Sequence, residues 1–205
     1  MLRWFICWIA LLLSPLVLAE STTDPRAQLE RFADGLETLS GSFRQVIYDS
    51  DGFVLEESAG RVYFQSPDRF RWDYVEPFPQ QLVADGEHLW HFDESLDQVT
   101  VRAQPDAAAS PLLVLTRPDL LDRFYRIEQG ERDHALRFAP LEPDAGFERA
   151  SLHFVDDRPV ELELVDSLVG QTTWIRLQDL ERNPQLADGL FRFEPPAGVD
   201  VLEGY

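Results

Sequence analysis

The 205-residue chain contains no lysine and only one cysteine, Cys7. Its 18 basic residues are therefore all arginines, and 37 acidic residues give a formal net charge of −19. Nucleic-acid-binding proteins need a basic surface, and segments that rest on anionic lipid need basic clusters. The composition therefore argues against both kinds of partner. We expect a soluble protein in which dissolved salt screens the repulsion between carboxylates.

The N-terminal segment has the pattern of a secretory signal peptide. Residues 1–19 combine Arg3, an apolar run over 4–13 and a small residue at Ala19, which predicts cleavage after Ala19. A retained membrane anchor is the alternative, but the segment is short for a membrane span. Cys7 lies inside the apolar run rather than at the cleavage point. We therefore expect the exported chain to have neither a disulfide nor an acyl anchor.

Signatures of catalysis and metal binding are missing from the sequence. It has no glycine-rich phosphate loop, nucleophile elbow or zinc pattern. His88 and His91 are three apart on a predicted strand, so their side chains point to opposite faces. Adjacent carboxylates such as Glu56-Glu57 are expected by chance among so many acidic residues. We expect no enzyme activity, metal or cofactor, although the sequence leaves open a catalytic site assembled from distant residues.

An aromatic ribbon occupies residues 60–92. Phe70, Trp72 and Tyr74 alternate with mostly polar neighbours, which puts the three rings on one face of a strand. Asp85-Gly86 is a hairpin signal between two further strands. The aromatic face has two interpretations: ordinary core, or the wall of a cavity for an apolar ligand.

The remaining chain predicts one α+β domain over residues 20–205, consisting of a helix followed by a long sheet. Asp24-Pro25 is a helix start, an apolar stripe follows from Leu29 to Leu39, and Gly41 ends the predicted helix. The sheet should be antiparallel and meandering, and so long a sheet must curl or close. Predicted strands lie near 43–49, 53–64, 69–75, 80–84, 87–93, 98–103, 124–129, 134–139, 147–155, 160–166 and 172–180, with short pieces near 190–193 and 199–202.

Two short helical segments interrupt the predicted sheet. Ser110-Pro111 is a second cap-and-proline start, followed by an apolar run to Leu115, and residues 119–124 predict a further short helix. These segments could be ordinary core. They could equally form a hinged lid over the concave face of a curled sheet.

The order of these short motifs resembles the LolA family of lipoprotein carriers. The resemblance begins with the signal peptide and the N-terminal amphipathic helix, and it covers essentially the whole mature chain. The matching motifs are Gly41-Ser42-Phe43-x-Gln45, Pro67-x-x-Phe70-x-Trp72, Leu82-Val83-x-Asp85-Gly86, Leu89-Trp90, Ser110-Pro111-Leu112-Leu113 and Phe191-x-Phe193-x-Pro195-Pro196-x-Gly198-Val199.

The resemblance implies an unclosed antiparallel β-barrel of about eleven strands with a helical lid. It also implies a periplasmic monomer that takes acylated lipoproteins from an inner-membrane ABC transporter to an outer-membrane receptor. The cavity lining that it implies is Phe70, Trp72, Leu82 and Trp90 on the sheet, with Leu112, Leu113 and Leu115 on the lid. The family's lid-latching arginine corresponds to Ser66 here, which leaves Arg69 as the candidate latch.

Three alternatives to a carrier remain at the sequence level. A lipid-anchored receptor relative would need a cysteine at the cleavage site, which this chain does not have. A periplasmic enzyme acting on lipid or glycan would place a carboxylate pair in the cleft. A purely structural module would fill its interior with its own side chains.

Overall fold

The computed structural model describes residues 24–104, 116, 118–130, 135–141, 147–166 and 168–204. These residues contain two helices, a 3₁₀ turn at Pro118–Leu120 and twelve strands. The elements are α1 (Pro25–Ala33), β1 (Thr38–Tyr48), β2 (Val54–Gln65), β3 (Arg69–Glu76), β4 (Gln80–Ala84), β5 (His88–Asp93), β6 (Gln98–Ala103), α2 (Leu121–Phe124), β7 (Tyr125–Gln129), β8 (Ala135–Pro140), β9 (Arg149–Val155), β10 (Arg158–Asp166), β11 (Gln171–Arg182) and β12 (Asp200–Glu203).

Helix α1 begins where the sequence predicts. The Asp24 carboxylate accepts a hydrogen bond from the Arg26 backbone N–H at 2.9 Å, and Pro25 occupies the first turn. Capping and proline both favour this start, because the first N–H groups of a helix have no partner within it. Leu29 and Phe32 form the buried stripe that packs on the sheet.

The predicted end of this helix at Gly41 was wrong. The helix ends at Ala33, and Gly35 adopts a φ of +64°, a left-handed conformation that glycine accepts without a steric penalty. Leu36 and Leu39 therefore follow the helix rather than belong to it, although both are buried. A continued apolar pattern hid the break, because the helix stripe and the first strand contribute to the same cluster.

The described strands form one open sheet in the order β12-β6-β5-β4-β3-β2-β1-β11-β10-β9-β8-β7. All neighbouring pairs are antiparallel except β12 and β6, which are parallel. The outermost strands β12 and β7 do not pair, so the sheet is not closed. This confirms the predicted unclosed antiparallel architecture, with twelve strands in the described part of the chain instead of about eleven. The strand predicted near 190–193 was wrong, because that segment forms a turn.

Aspartate and glycine build the turns that the sequence indicates. One Asp49 carboxylate oxygen and one Asp85 oxygen each accept two backbone N–H groups of the following turn, at 2.7 to 3.0 Å. Gly52 and Gly86 have φ values of +84° and +103°. Both features are typical of tight connections between antiparallel strands.

The core lies on the face of the sheet that α1 covers, which we call the inner face. Phe43, Trp72, Phe138 and Leu162 belong to its main cluster, together with Leu29 of the helix. Side chains in a strand alternate between faces, so a residue's position in the register decides whether it joins this core or lies on the outer face.

Candidate functional site

The aromatic residues of β3 belong to a broader apolar surface on the inner face. Phe70 and Trp72 are 6 % and 3 % exposed. Their register partners extend the surface onto both neighbouring strands, since directly opposite residues in antiparallel strands share a face. We call this surface the apolar wall; its members on β2 to β5 are Val62, Phe64, Phe70, Trp72, Leu82, Ala84 and Leu89.

The wall is joined to β1 by a compact group of rings. The centroid of the Phe43 ring lies 4.3 Å from that of the Trp72 ring and 5.2 Å from that of the Tyr74 ring. The Phe43 and Tyr74 rings meet edge-on. Gly60 makes room for this approach: a Cβ at that position would lie 1.8 Å from the Asp73 carbonyl oxygen and 2.8 Å from the Phe43 ring. The tilted and edge-on ring arrangements are those that aromatic pairs prefer.

One end of the aromatic group is polar. The Tyr74 hydroxyl donates a hydrogen bond to Gln45 Oε1 at 3.3 Å, and Gln45 is itself buried. Burial raises the pKa of Tyr74, and the hydrogen bonds of the hydroxyl only partly oppose that effect. The phenol is therefore neutral at ordinary pH. The purely apolar part of the wall runs from Trp72 towards Phe70, away from this polar pair.

Leu82 joins two separate apolar clusters. It is half-buried and packs both against the main core and against a smaller cluster of Phe70, Ala84 and Leu89. Three of the four predicted sheet-side residues, Phe70, Trp72 and Leu82, thus lie on the same face. Trp72 and Leu82 are also direct register partners.

The fourth residue, Trp90, was placed wrongly. Ala84 pairs with Leu89, so Leu82 faces His91 and Trp90 falls on the outer face. There the Trp90 indole N–H donates to the Asp85 carboxylate at 2.8 Å, and its ring lies 5.6 Å from the Phe193 ring. Trp90 therefore anchors the C-terminal segment to the sheet instead of lining the wall.

Asp85 combines its turn role with this anchor. Partial burial works to raise the pKa of its carboxyl group. The hydrogen bonds from the His88 N–H, the Trp90 indole and the Glu87 N–H outweigh that effect and hold the pKa below its usual range. The group is thus ionised at neutral pH and fixes both the turn and the indole.

The predicted lid residues Leu112, Leu113 and Leu115 lie outside the described residues. Arg69, the candidate latch, is exposed at the start of β3 beside the turn at Gly86. Within the described part of the chain its side chain makes no hydrogen bond or ion pair. Its role as a latch stays a prediction.

Helix α2, which follows the predicted lid, is attached to α1. The Arg26 guanidinium donates two hydrogen bonds to the Asp122 carboxylate, at 2.8 and 2.6 Å. This pairing lowers the pKa of Asp122 and raises that of Arg26. Leu121 of the same helix is 1 % exposed within the main core. The confirmed short helix is therefore held by both a charge pair and apolar packing.

The sequence interpretation missed the continuation of the apolar surface beyond β1. The inner face of the strands β7 to β11 is equally apolar and belongs to the same core. Alternating apolar residues in those strands were the available signal. They include Tyr125, Leu136, Phe138, Leu152, Phe154, Leu162, Ile175 and Leu177.

The described ranges contain neither a metal cluster nor a membrane-spanning helix. No group of three or more histidine, cysteine, aspartate or glutamate side chains there is placed to hold a metal ion. None of the helices in those ranges has the length and hydropathy needed to cross a bilayer.

Comparisons with known proteins agree with this architecture. The sequence profile of the family described as "Outer membrane lipoprotein carrier protein LolA" matches residues 34–194. A relative from Alkalilimnicola ehrlichii is 44 % identical over 190 residues, covering 91 % of this chain and 87 % of its own length. Another, from Xanthomonas oryzae pv. oryzae, is 42 % identical over 200 residues, covering 94 % and 95 %. Each is named "Outer-membrane lipoprotein carrier protein".

A solved structure supports the fold alone. An uncharacterized conserved protein from Thermus thermophilus has a TM-score of 0.53 and 15 % identity, with 88 % of this chain and 97 % of that chain covered. The family profile spans more than half of the sequence, and the relatives exceed 40 % identity over nearly all of it. The chain therefore belongs to the LolA family of outer-membrane lipoprotein carrier proteins.

Proposed function

We propose that the protein is a periplasmic carrier of acylated lipoproteins and that the apolar wall holds their acyl chains. Family membership supports the class of cargo, since the relatives are named as lipoprotein carriers. The structural observation behind the proposal is the cluster of Phe70, Ala84 and Leu89, which continues the wall past the main core. Half-buried Leu82 at the junction leaves apolar surface available to a ligand.

The energetics of acyl transfer suit an imperfect site. Each buried CH₂ group contributes about 0.8 kcal/mol, so an exposed acyl chain is strongly insoluble. The free energy of burying the acyl chain in the carrier must be large enough to shield the chain from water. It must also be close enough to the free energy of burial in a receptor or a bilayer for the chain to be released. We propose that the predicted lid with Leu112, Leu113 and Leu115 completes the site, covering the wall when it is empty and moving aside for cargo.

A paired substitution tests the role of the wall. Leu82→Glu puts a charge on the inner face, whereas Val101→Glu puts the same charge at a half-buried position on the outer face, opposite Trp90. We expect Leu82→Glu to lower uptake of a lipoprotein released from spheroplasts by about tenfold, since burying a charge among acyl chains is costly. Val101→Glu should take up cargo normally. Normal uptake by a folded Leu82→Glu protein, judged by circular dichroism, would contradict the proposal.

The protein needs partners that load and unload it. We propose an inner-membrane ABC transporter and an outer-membrane receptor, as the family resemblance implies, with the carrier working as a monomer. One end of the sheet offers a surface for such contacts. Its turns and the adjoining strand ends carry large apolar side chains that are about half to nine-tenths exposed, which we call the rim: Phe53, Val54, Leu55, Val75, Phe78, Leu96, Leu168 and Val169.

The rim turns adjoin one another in pairs. A methyl group on Gly170 would sit 3.6 Å from Ser50 Cβ, so the β10–β11 turn lies against the β1–β2 turn. The Glu94 N–H donates to the Pro79 carbonyl at 3.3 Å, which joins the β5–β6 turn to the β3–β4 turn. Exposed apolar side chains grouped on adjacent turns in this way are typical of interaction sites.

The negative charge around the rim predicts the charge of a partner surface that docks there. The segments 45–58, 73–80, 93–98 and 163–171 contain many carboxylates and no arginine. A docking partner should therefore present basic residues around apolar recesses, because opposite potentials speed association and disfavour wrong partners.

The rim has its own matched pair of variants. Leu168→Ser removes a side chain that is 90 % exposed on the rim, and Val155→Ser removes one that is 51 % exposed at the opposite end of the sheet. We expect only Leu168→Ser to slow lipoprotein uptake from spheroplasts, with unchanged thermal stability. Equal rates for both variants would show that the rim takes no part in docking.

A further inference from the structure

The outer face carries a hollow of about 400 Å³ that the proposed carrier function does not use. Its floor is crossed by one row of register partners on five neighbouring strands. From β10 to β3 these are Glu161, Arg176, Arg44, Ala59 and Glu76. Inner-face Phe43 directly precedes Arg44 in β1, so the row lies on the opposite side of the sheet from the apolar wall.

Two arginines stand side by side in this row. Arg44 and Arg176 are direct cross-strand partners, an arrangement of like charges that is unfavourable by itself. Arg176 has a carboxylate oxygen of mostly buried Glu161 at 3.6 Å, whereas exposed Arg44 has no ion pair within 4 Å among the described residues. The two guanidinium groups therefore present N–H donors that an oxyanion could engage in pairs.

Carboxylates border the other side of the hollow. Glu57 of β2 and Glu76 at the end of β3 are both exposed lining residues. Ala59 lies between Arg44 and Glu76 in the row, two residues after Glu57 on the same strand, and its short side chain leaves the space open. In the described part of the chain neither glutamate forms an ion pair with these arginines. The described residues Glu57, Glu76 and Arg44 thus flank one gap without forming ion pairs with one another.

An aromatic edge completes the hollow. Trp174 lies two residues before Arg176 on the same face of β11, and its ring meets the Tyr48 ring edge-on at 6.5 Å. Val46 pairs with Trp174 across the strands. Aromatic rings favour both apolar contacts and a nearby cation, so this edge suits the CH₂ groups next to a charged amine.

We propose that the hollow binds a small zwitterionic group in which an oxyanion stands a few bonds from an ammonium. Arg44 and Arg176 hold the oxyanion, Glu57 and Glu76 hold the ammonium, and Trp174 covers the linking CH₂ groups. An anion that lacks an ammonium group would be repelled by three glutamates. A cation that lacks an oxyanion would be repelled by two arginines. Two sources share this chemistry: the phosphoethanolamine headgroup of a lipid, and free α-amino acids.

Nuclear magnetic resonance can observe this site directly through the Trp174 indole N–H, assigned with the variant Trp174→Phe. We expect glycerophosphoethanolamine or glycine to shift this signal with a Kd of about 1 mM, as a few exposed charge contacts allow. A shift with the first probe identifies the headgroup, and a shift with the second identifies free amino acids. Inorganic phosphate and ethanolamine should each bind at least about fivefold more weakly.

Charge-removing variants identify the groups involved. Arg44→Gln and Glu76→Gln should each weaken binding of the zwitterion about fivefold. Arg61→Gln, which removes an exposed arginine outside the hollow, should leave binding unchanged. No shift of the Trp174 signal with either zwitterion, or equal affinity for inorganic phosphate, would overturn the proposal. Lipoprotein uptake by Arg44→Gln should stay normal, so this test is independent of the carrier function.

Discussion

Gly60 is the residue on which the aromatic packing of the apolar wall most depends. The position faces Phe43 on one neighbouring strand and Tyr74 on the other. Any side chain there would meet the Asp73 carbonyl oxygen and the Phe43 ring at distances that atoms do not tolerate. The requirement is for close backbone approach, since this glycine does not have a positive φ.

We therefore expect Gly60→Ala to lower the free energy of unfolding by about 1–3 kcal/mol, the usual cost of overpacking. Urea denaturation measures the change. Ser58→Ala, two residues earlier on the same strand, is the matched control. It removes a buried hydroxyl that has no hydrogen-bond partner among the described residues, so it should be neutral or slightly stabilising. A Gly60→Ala protein as stable as the parent would show that β2 and β3 are further apart than described.

Tyr125 is a titratable side chain that is buried at the other end of the core. The residue is 4 % exposed, and burial raises the pKa of Tyr125 to about 12, against an ordinary value of 10.0. The unfolded chain releases this proton near pH 10 while the folded chain keeps it. The phenol therefore lowers stability as pH rises from 10 towards 12.

Ultraviolet titration at alkaline pH should show tyrosine ionisation near pH 12, and its amplitude should fall by that of one tyrosine in Tyr125→Phe. The loss of stability above pH 10 should also be smaller in the variant. If the parent and Tyr125→Phe lose stability in parallel, the ring at position 125 is not buried as described.

Local spacing predicted the face of most site residues but not all. Phe70, Trp72 and Tyr74 alternate within one strand, so their common face follows from the chain itself. Trp90 belongs to a different strand, and its placement on the wall came from family resemblance rather than from spacing. Only the pairing of Ala84 with Leu89 shows that Trp90 points outward.

At the scale of elements, the C-terminal segment acts as a strap across the outer face. The Phe193 ring contacts the rings of Trp90 and Phe92, at 5.6 and 6.0 Å. The Arg71 guanidinium donates to the Leu190 carbonyl oxygen at 3.2 Å. The segment then adds β12 to the edge of β6 as the one parallel pair among the described strands. The strand β12 thus covers the edge of β6, whose unpaired backbone groups could otherwise pair with another chain and cause aggregation.

Removing the ring of the strap should destabilise this half of the sheet. Phe193→Ala is expected to cost about 2 kcal/mol, less than truncating a fully buried phenylalanine because the ring is only partly buried. Phe78→Ala removes the same ring from a position that is 62 % exposed and should change stability by less than about 0.5 kcal/mol. Thermal unfolding distinguishes the two. Equal effects would mean that the strap does not pack on Trp90.

The sequence was less informative about this strap. Aromatic residues with a spacing of two, Phe191 and Phe193, predicted a strand near 190–193. Phe191 is buried and Phe193 is partly buried, as a strand pattern would suggest, but Phe191 ends a turn over residues 188–191 and the backbone at 192–193 forms no strand. A periodic apolar pattern predicts which side chains are buried, but it does not predict the backbone conformation that places them there.

At the scale of the whole molecule, charge is the dominant feature. A net charge of −19 on 205 residues opposes compactness, and the rim segments concentrate carboxylates without arginine. Raising the salt concentration from 0.1 to 1 M shortens the screening length from about 10 Å to about 3 Å. The repulsion between distant carboxylates is then largely removed.

Sodium chloride should accordingly raise the melting temperature by a few degrees over this interval, equivalent to about 1 kcal/mol for a domain of this size. A triple variant, Glu56→Gln, Glu57→Gln and Glu94→Gln, is the control. It should be more stable than the parent at low salt and should respond less to added salt. A melting temperature that falls with salt in both proteins would contradict this account of the charge.

The overall architecture could be predicted better than its details. Alternation and turn residues predicted an antiparallel meandering sheet, since each strand carries its own pattern, whereas the family resemblance implied that the sheet is not closed. The parallel pairing of β12 with β6 left no local signal, because strand partners distant in sequence are selected by the assembled sheet. The break of α1 at Gly35 was equally hidden inside a continuous apolar pattern.

The central claim, that acyl chains lie on the inner face, has a direct test. A photo-crosslinking amino acid placed at position 82 or at position 90 samples the two faces of adjacent strands. After loading with a lipoprotein carrying radiolabelled acyl chains, the probe at position 82 should crosslink to the label and the probe at position 90 should not. Crosslinking from position 90 alone, or equally from both positions, would contradict the account.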